Sequence, residues 1–189
     1  MADAGAPRDI ERYDSVARAG HWLVAALVAI VVALGLAIPL TARQSPARAS
    51  VLLLHRSLGL VILGLVVFRV LWRLRHPPPP FPPGFSRLNA AAALAGHALL
   101  YVIFLVMPLS GYVNAAAAGH RVSFLGIVRL PSLLPPDYRM SQIADAIHLT
   151  GQFAVYVLVG LHIAAVVMHR LRGRHRIIER MLPPRPPFR

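Results

Sequence analysis

Long apolar runs, separated by short segments rich in arginine and proline, set the pattern of this chain. A bilayer-crossing helix needs roughly 20 mostly apolar residues. Four runs meet that length: 19–40, 51–74, 88–118 and 143–168. The pattern predicts an all-α, integral-membrane four-helix bundle forming a single domain over 1–189, with Pro108 kinking the third span. The N-terminal stretch is polar as far as Arg18 and a full-length span follows, which is not the layout of a cleavable signal peptide. The run 76–83 is proline-rich and reads as a stiff linker. The loop 119–142 carries Phe124, Leu125, Ile127 and Val128, suggesting a short element on the membrane surface. Pro131, Pro135 and Pro136 argue against a continuous helix there.

Composition agrees with a bilayer environment. The chain has 57% hydrophobic and 14% charged residues and a mean hydropathy of +0.60. Soluble domains carry about 25% charged residues. All 20 basic residues are arginine. They flank apolar segments instead of alternating with aromatics, so the net charge of +13 is no nucleic-acid footprint. Cysteine is absent, which excludes disulfides, thiolate metal sites, iron–sulfur clusters and covalently attached c-type haem. Fourteen arginines fall before span one, from the last turns of span two to the start of span three, or after span four, and six fall on the other side. The positive-inside rule then puts both termini of this multi-pass chain in the cytoplasm.

The candidate chemistry lies in four histidines inside the apolar runs: His21, His55, His148 and His162. His148 and His162 are fourteen residues apart on one span. That step is almost four turns and a rise of roughly 21 Å, so both rings leave one helix face at two depths. Orientation places His21 and His162 near the cytoplasmic edge and His55 and His148 near the outer edge. Two depth-matched pairs result, the arrangement wanted by two stacked bis-histidine metal centres. His97, on span three, competes at the inner level. Polar groups in hydrocarbon cost several kcal/mol unless satisfied, which makes packing alone a poor account of four of them.

The same fourteen-residue step recurs. Gly35 follows His21 by fourteen, Gly111 follows His97, and Arg69 follows His55. Gly59 and Gly151 lie one turn from His55 and His148. Glycine lets a large planar group approach the backbone. Arg69 would reach the inner level, where a haem propionate could partner it. Asp145, the acidic residue near a span, reads as interfacial, and carboxylate-bridged iron is disfavoured.

The segments RYDSVARAGHWL, LLLHRSLGLVILGLVVFRVLWRL and IHLTGQFAVYVLVGLHIAAVVMH, with FLGIVRLP and RHRIIERMLP, resemble the bacterial cytochrome b561 family. That family is related to the cytochrome b subunits of nickel–iron hydrogenases and formate dehydrogenases. The resemblance runs from about Arg12 to Pro183. It implies two non-covalent b haems with axial ligands on His21, His162, His55 and His148. The short length resembles the stand-alone type, including superoxide:ubiquinone oxidoreductases.

The implied function is an oxidoreductase passing electrons between an outer one-electron donor, superoxide, and membrane ubiquinone. Arg56, with Arg43, Arg48, Arg121, Arg129 and Arg139, could steer an anion to the outer mouth. His97 and His169 are candidates for the quinone or a proton relay. His76, His120 and His175 read as solvated. The competing readings are a non-catalytic electron-transfer subunit of a dehydrogenase or hydrogenase, a redox partner of a soluble cytochrome, and a metal-ion transporter without haem. Partners are membrane lipid, ubiquinone, and superoxide or an outer redox protein, with no nucleic acid.

Overall fold

The computed structural model describes residues 11–172 and 176–184. His175 and four of the arginines counted above (Arg8, Arg174, Arg185 and Arg189) lie outside the described residues. Four long helices dominate: α1 Ser15–Ala37, α2 Pro46–Arg75, α3 Arg87–Ala117 and α4 Tyr138–Leu171. All four are long and apolar enough to cross a membrane.

Each helix opens on a side-chain cap that hydropathy does not register. Asp14 accepts the Ala17 N–H at 2.8 Å, Ser45 that of Arg48 at 3.1 Å, Ser86 that of Asn89 at 3.1 Å and Asp137 that of Met140 at 2.9 Å. Such a cap satisfies one of the orphan amides of the first turn. The helices therefore start before the apolar runs do, by five residues in α2 and α4. Residues 138–142, read as loop, are the first turns of α4. α3 continues as one helix through Pro108. A proline deletes one backbone bond there, which helix neighbours in a bundle can tolerate.

α1 packs on α2, α2 on α3 and α3 on α4. Among the described residues, α4 makes no close backbone packing of that kind with α1 or α2. A gap is thus left between α4 and the α1–α2 pair, with α3 packed on both α2 and α4. Val24, Ile62 and Val66 are buried at its middle, with Leu27, Val31, Tyr101 and Phe104 packed around them. Most large apolar side chains instead face outward, the pattern of helices solvated by lipid.

At the end bearing His55, the 119–142 region forms a two-stranded antiparallel hairpin, Ser123–Phe124 with Val128–Arg129. Its tip turns through Leu125 (φ 51°) and Gly126 (φ 74°). Leucine is strained in that region, so the turn has to be held from outside. The fully buried Ser57 does so: its hydroxyl accepts the Leu125 N–H at 2.9 Å and donates to Leu53 O at 2.7 Å.

The opposite end is closed by residues 176–184. Arg180 is buried and donates to Glu11 O (3.0 Å), Pro79 O (2.9 Å) and Pro80 O (2.7 Å) while lying over the Tyr13 ring. Trp22 Nε1 donates to Met181 O at 2.9 Å, and Arg18 to Leu182 O at 2.8 Å. One arginine thereby joins the start of α1, the proline-rich linker and the C-terminal segment.

Candidate haem-binding site

The gap beside α4 is bridged by histidines. His55 of α2 and His148 of α4 have ring centroids 6.0 Å apart, and His21 of α1 and His162 of α4 have theirs 6.1 Å apart. Two imidazoles held trans on one metal at about 2 Å per bond, plus roughly 1 Å of ring depth on each side, have centres roughly 6 Å apart. Among the described residues, no three His, Asp or Glu side chains converge to hold a bare metal ion.

At the His55–His148 level the rings are oriented. His55 Nδ1 lies 3.1 Å from Val31 O, and His148 Nδ1 lies 2.9 Å from Met107 O. A carbonyl only accepts, so each Nδ1 carries the proton and each Nε2 keeps its lone pair for a metal. The Ser110 hydroxyl, 3.1 Å from His148 Nδ1, also donates to Met107 O at 2.9 Å. Sequence inspection passed over Ser110, although it stands next to Gly111 in the fourteen-residue pattern.

Glycines complete this level. A Cβ on Gly35 would stand 3.2 Å from His55 Cε1, and one on Gly111 would stand 3.2 Å from His148 Cε1. Gly59 and Gly151 do something else. A Cβ on Gly59 would meet Pro108 at 3.9 Å, and one on Gly151 would meet Met107 Sδ at 2.6 Å. These two serve helix packing against α3, a common use of small residues in membranes. Spacing along one helix cannot distinguish the two uses, because the neighbour lies on another helix.

The His21–His162 level is more crowded. His97 of α3 has its ring centroid 5.6 Å from that of His162, so His162 faces two imidazoles. Trp22 presents its ring to His21 edge-on, with centroids 5.2 Å apart. Arg69 runs beside Gly20, and its Nη1 is buried with no hydrogen-bond partner among the described residues. A buried guanidinium group of that kind wants an anion. His169 stacks on Phe85 of the linker at 5.3 Å, and Phe85 stacks on Phe81 at 5.1 Å. Arg56 is half-buried beside His55, His120 is exposed, and His76 is exposed but stacked on Trp72 at 4.0 Å.

Apolar helices joined across a gap by paired imidazoles define a class, membrane redox bundles that hold a planar metal cofactor between histidines. The chain belongs to the prokaryotic cytochrome b561 family, whose model matches residues 12–184. It is 32% identical to cytochrome b561 homolog 2 of Escherichia coli (strain K12) over 172 residues, 91% of this chain and 92% of that one. It is 28% identical to the probable superoxide oxidase CybB of Yersinia pestis over 131 residues, 69% of this chain and 74% of that one. Cytochrome b561 homolog 1 of the same Escherichia coli strain is 28% identical over 168 residues, 87% and 93% of the respective chains.

The protein is therefore a membrane electron-transfer cytochrome, an oxidoreductase whose family binds b haems. That membership removes the ion-transporter reading. The residues present suit the cofactor: paired imidazoles across a gap, glycines where a Cβ would press on a ring, and an arginine whose buried Nη1 has no hydrogen-bond partner among the described residues.

Proposed function

We propose that this chain holds two b haems at two depths of a bacterial inner membrane. In this reading both termini are cytoplasmic, and electrons pass from an outer one-electron donor, superoxide, to ubiquinone. The observation that carries the proposal is the pair of histidine couples at nearly equal separation, 6.0 Å and 6.1 Å, both joining α4 to the α1–α2 pair.

His55 and His148 would hold the outer haem, and His21 and His162 the inner one. A haem with both axial positions filled by imidazole supplies one-electron transfer and has no open position for oxygen binding. Val31 O and Met107 O fix the tautomers of the outer ligands. Arg69 would neutralise an inner propionate through the Nη1 that lacks a partner. Arg56 and the other loop-side arginines would draw an anion to the outer mouth. His97 and His169 would hydrogen-bond a quinone or carry its protons at the cytoplasmic level. Oxidation of two superoxide anions to dioxygen supplies the two electrons with which one ubiquinone takes up two protons to become ubiquinol.

A reduced-minus-oxidised spectrum of the purified protein, with each of the four histidines changed to alanine in turn, tests the ligand set. Loss of one haem for each depth pair is expected, and full haem retention in His148→Ala or His162→Ala would overturn it. A superoxide generator with a short-chain ubiquinone tests the substrates. Ubiquinol formation by the protein alone is expected, whereas turnover that requires an added partner would make this an electron-transfer subunit.

A further inference from the structure

Among the described residues, Asp145 is the one acidic residue inside a membrane-length helix. It is half-buried, three residues before His148, and therefore on the same flank of α4. Asn114 Nδ2 donates to its Oδ1 at 2.6 Å, and Ser141 Oγ donates to Asn114 Oδ1 at 3.3 Å. Asn114 sits one turn beyond Ser110, the hydroxyl beside His148 Nδ1. The carboxylate is thus fixed at the outer histidine level by neutral donors. Among the described residues no arginine forms an ion pair with it; the ion pairs there are Arg170–Glu179 and Arg176–Glu179.

A charge placed in a membrane span is costly, and an amide that holds it does not neutralise it. Its field therefore acts on what is nearest, at low dielectric. The inner level carries the opposite sign, the half-buried Arg69, whose Nη1 is buried. Arg56 is the countercharge at the outer level, on the α2 side of the histidine couple, whereas Asp145 stands on the α4 side.

We propose that Asp145, held by Asn114, lowers the potential of the outer haem and so eases the passage of electrons from the outer to the inner level. The negative charge favours the more positive, oxidised form of the neighbouring centre, and the Arg69 cation favours the reduced form of the other. This assignment rests on the two-haem reading above, and it adds the residue that tunes the outer centre.

The test is a redox titration of the haem-loaded protein, followed by visible absorbance, with the outer haem identified by its loss in His148→Ala. Asp145→Asn keeps the shape and removes the charge, and it should raise the outer midpoint and leave the inner one in place. Asp145→Glu should keep the outer midpoint low. Asn114→Leu frees the carboxylate and should give a smaller rise, adding nothing in the Asp145→Asn background. An unchanged outer midpoint in Asp145→Asn, the result of a purely packing role, overturns the proposal, as does an equal shift of both haems. If the wild type binds one haem only, the two-haem reading fails first and takes this assignment with it, visibly in the spectrum.

Discussion

Gly111→Ala separates a cofactor cradle from ordinary helix packing. The new Cβ would lie 3.2 Å from His148 Cε1 and 3.4 Å from its Nδ1, inside ordinary van der Waals contact. The ring has little freedom to retreat, because Nδ1 is held by Met107 O at 2.9 Å. Overpacking by one methyl costs about 1–3 kcal/mol, set against about 1 kcal/mol gained in helix propensity. The net effect is a loss of about 1 kcal/mol. Gly160→Ala and Gly64→Ala add a methyl where nothing lies within 4 Å and keep only the gain. The two kinds of substitution should therefore differ by about 2 kcal/mol in thermal unfolding. The larger effect is on ligation, since a metal ligand must be held within about 0.5 Å of its working position. Haem content by pyridine haemochrome should fall towards half in Gly111→Ala and stay full in Gly160→Ala. Full haem content and unaltered stability in Gly111→Ala would refute the cradle.

Further outcomes follow from the same contacts. Ser57→Ala removes the hydroxyl that accepts the Leu125 N–H, and it should cost about 1–2 kcal/mol and release the strained turn. Faster hydrogen exchange over 123–129, with the helices unaffected, would report it. Arg180→Ala strips a charged donor from three carbonyls and should destabilise by about 3 kcal/mol, with protease cutting appearing first in 176–184. Asp14 sits just outside the first span: burial raises its pKa, but the Ala17 and Val16 amides, the Trp72 indole and the His76 charge outweigh that and hold it below the ordinary carboxyl value. A depressed folded-state value means the cap's contribution is present above the unfolded carboxyl range and is lost as pH falls through the folded value. Stability should therefore decline on acidification below about pH 4, and Asp14→Asn should flatten that part of the profile.

Four apolar runs of bilayer length, arginines at their ends and histidines at two depths are properties of single helices, and all are readable along the chain. Helix periodicity converts a fourteen-residue step into a shared face, so His148 with His162, and His55 with Arg69, could be related without coordinates. Helix starts were the weaker part, since hydropathy averages over the Asp and Ser caps that define them. What lies across a gap was not readable. Gly111 and Gly151 are alike in sequence terms, yet one faces an imidazole and the other a methionine, because different helices stand opposite them. Arg180 looks like any tail arginine until three segments fold onto it. The chain by itself determined the spans and the spacing of the histidines along them, because these depend on local composition and a fixed rise per residue, and its motifs carried the family resemblance. Only the tertiary structure decided that His162 faces two imidazoles, that Val31 and Met107 orient the His55–His148 pair, and that Asp145 makes no ion pair among the described residues. Those facts belong to contacts between helices, and a one-dimensional period carries no information about which neighbour a face will meet.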